Sequence, residues 1–283
     1  MRRDVIEVYD CWFKYRNSKT WALKGISLRI KEGSFSLVVG PTGSGKSTLL
    51  RLFNGLIPHF YEGEFKGLVK VMGLDTRKHS VAELSKYVGM VFQDPENQIV
   101  TLTVENEVAF GLENLGLPRD LIRERVNKVL RDLNLEGLRH YIPFELSSGQ
   151  QQRVIIASIL AMEPEIIVLD EPTSNMDLKT AWNFIRLLKK IHDEFNKTII
   201  LVEHRLDYVI PFVDQVIVMY DGVVVKCADP YTVIEEGILG NVGVDEPKIP
   251  LLFRLLKKEQ LYSGGIPLSI DEAVETLKKI LRR

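Results

Sequence analysis

The run Gly40-Pro41-Thr42-Gly43-Ser44-Gly45-Lys46-Ser47 fits the spacing G-x-x-x-x-G-K-[ST]. It follows the apolar stretch Phe35-Ser36-Leu37-Val38-Val39 and precedes a helical run entered at Thr48. Glycines so spaced let backbone N–H groups curl around phosphate oxygens, and the helix N-terminus adds a field that favours anions. Lys46 is placed to reach the β- and γ-phosphates of a nucleotide, and Ser47 to offer magnesium a hydroxyl. Alone, such a loop does not separate ATPases, GTPases and kinases. A second pair of groups narrows the chemistry: Ile166-Ile167-Val168-Leu169 runs into Asp170-Glu171, at the C-terminal end of a buried strand where open α/β sheets bind ligands. Asp170 is expected to hold magnesium, mainly through water. Glu171, one residue on and facing the other way, is expected to polarise an attacking water as general base. Paired acids at a strand end are otherwise ordinary turn and cap residues; the position after an apolar strand favours chemistry here.

The elements that must position these groups follow from the apolar pattern. Short uninterrupted runs, Phe35 to Val39, Ile166 to Leu169 and Thr198 to Val202, alternate with helices expected from about Lys46 and about Leu178. Such runs predict a parallel sheet covered on both faces, hence an α/β core. Val5 to Ile30 and Leu68 to Val71 read as strands without intervening helices, an antiparallel patch beside that core. From about Thr101 to Ala161 the pattern turns helical, broken at Gly116-Leu117-Pro118. After about Glu235 the β rhythm stops and two helices are expected. The last starts at a capping box, Ser269 with Glu272, and places Ala273, Val274, Leu277 and Leu281 on one face, with Lys278, Lys279, Arg282 and Arg283 at its dipole-favoured end. This tail either packs on its own domain or serves as a subunit contact.

Leu146-Ser147-Ser148-Gly149-Gln150 precedes the helical run Val154 to Met162 and taken alone is an ordinary N-cap. Its place shortly before the Asp170-Glu171 strand makes Val5 to about Ile234 resemble an ATP-binding-cassette ATPase, with each family motif present once and in family order. The resemblance implies a P-loop cassette fold: residues 1–235 as the nucleotide-binding domain, 101–161 as its helical subdomain, and 236–283 as a helical extension available for dimerisation. It implies ATP and magnesium as ligands, bound by Gly40 to Thr48 with Ser47, Gln93 and Asp170 on the metal. Ser147, Ser148, Gly149 and Gln150 become the signature loop, which reaches the nucleotide of a partner cassette. Gln93, ending the strand-like Val88 to Phe92, matches the glutamine that touches magnesium and the lytic water. His204 matches the histidine that contacts the γ-phosphate, and Asn175 and Asp177 match the loop lining the dimer interface, although Asp177 reads equally well as a helix N-cap. Tyr15 matches the aromatic that stacks on adenine; Tyr9, Trp12, Phe13 and Trp21 lie close by, and strand aromatics usually pack. Two departures stand out. Ser148 occupies a glycine position, keeping its N–H but adding a side chain at a crowded spot, and Asn175-Met176 replaces small and leucine-like residues.

Within the family, Val91 to Ile99, Thr103 to Gly111 and Asn114 to Pro118 resemble the ATPases of energy-coupling-factor and cobalt or nickel importers. That resemblance implies a second cassette, alike or different, a transmembrane coupling protein and a substrate-capture protein for a vitamin or metal ion, with this chain peripheral on the cytoplasmic face of the membrane. Composition agrees by exclusion. A net charge of -1 gives no pull toward nucleic acid. Met1 to Glu7 begins basic but leads into no apolar stretch, so no secretory signal is expected, and later apolar runs fall short of the roughly 20 residues that span a bilayer. Cys11 and Cys227 read as buried thiols of a reducing compartment. A cassette serving DNA repair or translation is disfavoured by the lack of a long coiled-coil insertion and by one near-neutral cassette. A sensor that binds without turnover would require damage at Glu171 or His204.

Overall fold

The computed structural model describes residues 2–94 and 97–281, with backbone alone at 280 and 281. The strands, in chain order, are β1 (Asp4–Tyr15), β2 (Leu23–Lys31), β3 (Phe35–Val39), β4 (Gly63–Val71), β5 (Leu74–Asp75), β6 (Val88–Val91), β7 (Ile166–Asp170), β8 (Thr198–Val202), β9 (Gln215–Tyr220) and β10 (Val223–Ala228). Six of them form the core sheet in the order β10-β9-β3-β8-β7-β6. All its pairings are parallel except β10 on β9. Every residue of β3, β7 and β8 is buried. Their side chains divide by alternation: Leu37, Leu169 and Leu201 enter one apolar layer, Val38, Val168 and Val202 the other. Aliphatic residues at both parities thus make a strand that only a two-faced interior accommodates. The expected antiparallel patch is a four-stranded sheet, β2-β1-β4-β5. It is tied to the core where Lys24 N–H donates to Gly222 O at 2.8 Å.

The helices begin with α1 (Lys46–Phe53), α2 (Leu56–His59) and α3 (Val81–Leu84). Leu49, Leu50 and Phe53 of α1 enter the same layer as Val38. The helical stretch comprises α4 (Val104–Asn114), α5 (Arg119–Asp132) and α6 (Ser148–Ala161). The break between α4 and α5 falls where expected: Gly116 takes a left-handed φ of 70° that halts α4, and Pro118 precedes the first turn of α5. Beyond it lie α7 (Leu178–Phe195), α8 (Leu206–Val209), α9 (Pro230–Glu235), α10 (Ile238–Asn241), α11 (Lys248–Lys258) and α12 (Ile270–Leu281). Among the described residues no helix is long and apolar enough to cross a membrane.

Three expectations need correction. Residues after Glu235 form three helices rather than two; α10 is a single turn, too short to leave a period. At α12 the Ser269 hydroxyl accepts from Glu272 N–H at 3.2 Å, but the Glu272 carboxylate takes the N–H of Leu268, one residue earlier than a capping box requires. Ala273 is buried while Val274 is exposed; the Leu281 side chain and Arg282 and Arg283 lie outside the described residues. Cys11 is buried, and burial pushes its thiol up to about 12. Cys227 is instead exposed on edge strand β10, where exposed and half-buried residues alternate. The tail packs on its own domain: Leu239, Phe253, Leu268 and Ala273 join the apolar layer that holds Leu37.

Candidate functional site

Because β3, β6, β7 and β8 run parallel, the loops that leave their C-terminal ends meet along one edge of the sheet. The phosphate loop follows β3, Gln93 follows β6, Glu171 follows β7, and Glu203 and His204 follow β8. Residues more than a hundred positions apart are thereby gathered.

The phosphate loop ends at Gly45, whose φ of 98° is left-handed and whose Cβ, were there one, would sit 2.6 Å from Ala22 O. Only glycine fits there. The turn aims the first N–H groups of α1 outward with no side chain capping them. Lys46 is 6% exposed and donates from Nζ to Gly40 O at 2.8 Å and Pro41 O at 3.0 Å. Burial pulls its ammonium below the usual lysine range, and the carboxylates of Glu171 and Asp170 act the other way. Asp170 is likewise buried, and desolvation raises its carboxyl above the usual range against a hydrogen bond from Ser47. Among the described residues its Oδ1 and the Ser44 hydroxyl have no hydrogen-bond partner. An orphaned carboxylate oxygen on a side chain that the Ser47 hydroxyl reaches suits a hard, oxygen-loving cation that completes its shell with phosphate and water. Among the described residues there is no cluster of three or more His, Cys, Asp or Glu that could hold a metal. The residues therefore fit magnesium carried with a nucleotide and not an all-protein metal cage.

Opposite Lys46, Gln93, Glu171 and His204 converge. Glu171 Oε1 lies 2.8 Å from His204 Nε2, and Gln93 Nε2 donates to Glu171 Oε2 at 3.2 Å. Glu171 holds a φ of 49°, left-handed for a residue with a Cβ. Such a conformation costs about 1–3 kcal/mol and gathers at functional sites. Its N–H is fixed to Val202 O at 3.0 Å, so the turn out of β7 is anchored on the end of β8. A carboxylate held between an amide and an imidazole, next to a phosphate cradle, can orient a water and accept its proton.

Tyr15 closes β1 with its hydroxyl 3.1 Å from Thr48 Oγ1, and Arg51 donates to it at 3.0 Å. The ring therefore stands at the first turn of α1, edge-on to Phe13 and Tyr61.

The Ser147–Gln150 segment starts α6 and lies elsewhere. Gln150 Oε1 accepts from both the N–H and the hydroxyl of Ser147. Gly149 is buried, and a Cβ on it would meet Thr180 Cγ2 at 2.3 Å. Ser148, by contrast, is half-buried and donates to Asn175 O at 3.3 Å, so its side chain has room. Among the described residues no hydrogen bond joins this loop to Gly40–Ser47. Asn175 also donates to Asp94 at 3.3 Å, while Asp177 caps α7 by accepting from Lys179 and Thr180 N–H groups. The two departures, Ser148 and Asn175, are thus in contact with each other.

Sequence reasoning missed the residues that hold the Gln93 loop. Gln98 accepts from Phe92 N–H and donates to Met90 O, and buried Glu107 accepts from Val100 and Thr101 N–H groups. It also missed Glu203, which is 4% exposed. Of this loop, residues 95 and 96 lie outside the described residues. A polar residue bonded to backbone looks like any solvated one until the fold is known; Glu107, on the face shared by buried Val104 and Val108, carried the one readable signal.

Comparison with known proteins gives a consistent picture. Residues 23–174 match the family model described as ABC transporter. An ABC transporter ATP-binding protein of Pyrococcus horikoshii is 44% identical over 276 residues, covering 97% of each chain. One of Pyrococcus abyssi is 42% identical, covering 99% of this chain and all of the relative. The solved structure of cbiO1 from Clostridium perfringens, part of the cbiONQ ABC transporter complex, superposes with a TM-score of 0.75 at 33% identity, covering 89% of this chain and 99% of that one. A dimeric ATP-binding cassette in a post-hydrolysis state, bound to ADP and Pi, superposes with a TM-score of 0.69 at 33% identity over 80% of this chain and 98% of its own.

Proposed function

The chain belongs to the ABC transporter family, an ATPase whose hydrolysis of magnesium-bound ATP is coupled to transport, and from that premise we propose that it powers an importer of the energy-coupling-factor type. The observation that carries the catalytic part is Glu171, strained and held between His204 and Gln93 at the edge where the phosphate loop opens.

On this reading the ATP phosphates lie over the N–H groups of Gly43 to Thr48, and Lys46 exchanges the carbonyls of Gly40 and Pro41 for phosphate oxygens. Adenine stacks on Tyr15. Ser47, Asp170 and Gln93 hold magnesium, which supplies charge neutralisation at the phosphates. Glu171 accepts the proton of the water that attacks the γ-phosphorus, His204 holds the carboxylate and faces the γ-phosphate, and Gln93 orients the water. Ser147 to Gln150 meets a partner cassette's nucleotide, with Asn175 and Asp177 lining the shared interface. Support for a partner is that this loop bonds inward and to Asn175 and not to its own phosphate loop.

Support for a membrane partner is local and apolar. Val100 and Leu102, 61% and 76% exposed, sit in the loop that Gln98 and Glu107 pin beside Gln93, and Phe110 on α4 is exposed as well. Phe110 also walls a groove of about 450 Å³ between α3 and α4, together with Leu115 and Met162. Helices of a transmembrane coupling protein dock there and place the chain on the cytoplasmic face. The helical extension that follows residue 235, packed on the cassette, contributes to pairing through the outward Leu251, Leu252 and Leu255 of α11. Purification of the tagged chain from detergent extract tests this reading. A polytopic membrane protein and a second cassette should accompany it; nucleic acid or ribosomes in their place would overturn it.

A further inference from the structure

Glu203 is a buried carboxylate that the chemistry above does not use. Its Oε1 accepts the N–H of His204 at 2.8 Å and of Arg205 at 3.2 Å, while its Oε2 accepts the Thr173 hydroxyl at 2.5 Å. Thr173 is itself buried, and it stands two residues after Glu171 in the turn that leads to Asn175 and Asp177. That turn is stiffened by Ser174 N–H on Glu171 O and Met176 N–H on Thr173 O. Arg205 adds a second tie, donating to Met176 O at 2.9 Å. One carboxylate therefore grips both the backbone that carries His204 and the turn that joins Glu171 to the interface loop. Buried charge-assisted hydrogen bonds are short and strong, and they fix geometry as well as energy.

We propose that Glu203 is a positioning residue that clamps the interface loop to His204, so that displacement of Asn175 and Asp177 moves His204 relative to the Glu171 carboxylate. The clamp acts through Thr173, and both side chains are buried. A partner pressing on the interface loop thereby sets the spacing at the catalytic pair. A bland reading is available: Glu203 satisfies the N–H groups of His204 and Arg205 in the turn before α8 and does nothing else. The two readings part at Thr173, because loss of its hydroxyl leaves the bonds to His204 and Arg205 intact and cuts the tie that Glu203 itself makes to the turn, with the Arg205 bond to Met176 kept in both.

The inference rests on the roles given above to Glu171 and His204, and the experiment separates the two. ATP turnover is measured on the full chain, in the assembly in which it hydrolyses ATP, for Thr173→Val, Thr173→Ser and His204→Ala. Thr173→Val, which keeps the shape and removes the hydroxyl, should lower kcat roughly tenfold while KM for ATP stays within about twofold, the pattern of misplaced catalytic groups in an intact binding site. Thr173→Ser should return kcat to within about threefold of the original, since the donor is restored. Retained kcat in Thr173→Val, a rise in KM that accounts for the loss, or no recovery in Thr173→Ser each overturns the clamp. Near-normal kcat in His204→Ala overturns the underlying site reading whatever the threonine variants do, whereas an inactive His204→Ala beside a normal Thr173→Val defeats the clamp alone.

Discussion

The N-termini of α1 and α6, both assigned to phosphate in the proposed function, are finished differently. At α1 the preceding residue is Gly45 in a left-handed conformation, no side chain caps the helix, and the nearby Ser44 hydroxyl and Asp170 Oδ1 are orphaned. At α6 the Gln150 side chain binds Ser147 twice, and Ser148 is tied to Asn175. The first end is unsatisfied within its own chain, and a nucleotide with magnesium completes it. The second is exposed at Ser147 and has its side chains tied to one another and to Asn175, which suits a surface offered to something else. On the proposed function, one chain carries a phosphate cradle and, separately, a finishing piece for another.

Three changes at residues around these two ends test the contrast, in descending order of effect. Glu171→Gln keeps the hydrogen bonds of the α1 side but removes the proton acceptor; kcat should fall about 10²–10⁴-fold with ATP still bound, as read by steady-state phosphate release. Near-normal release by that variant would remove Glu171 from the mechanism. Lys46→Ala strips a charged donor from the cradle, and calorimetry should show ATP affinity weakened by about 1.5–3 kcal/mol, roughly 10–150-fold. Retained affinity would mean that the backbone N–H groups alone hold the phosphates. At the other helix, Gly149→Ala drives a methyl into Thr180 and should cost about 1–3 kcal/mol of folding stability in a denaturant melt. That variant should bind ATP as well as the original, since the two helix ends do not share hydrogen bonds.

How much of this could be read from the residues depends on how locally each group is specified. The phosphate loop and Asp170-Glu171 are legible because their chemistry sits on consecutive residues at the end of an apolar run. The core strands are equally plain, since burial on both faces leaves uninterrupted aliphatic sequence. Cys227 was misjudged for the same reason in reverse: Val223-Val224-Val225 looks like an interior strand, but β10 pairs on one side only and leaves Val223 and Val225 exposed. Glu203 was invisible because its partner Thr173 arrives from a different strand, and only the parallel pairing of β7 with β8 brings them together. The tail shows a third case: the Ser269–Glu272 spacing located the start of α12, yet the carboxylate found a different N–H. Spacing sets what is within reach, and the fold chooses the partner.

The contrast between the helix ends is tested most directly by Ser147→Arg, which places a bulky charge on the exposed end of α6 and leaves α1 untouched. ATP binding to the isolated chain and ATP turnover in the assembly that hydrolyses it are measured together. The account predicts binding within about twofold of the original and turnover reduced at least roughly tenfold, because the obstructed surface serves the partner's nucleotide. Binding that weakens in step with turnover would put the α6 end in its own chain's site. Unchanged turnover would mean that it meets no nucleotide.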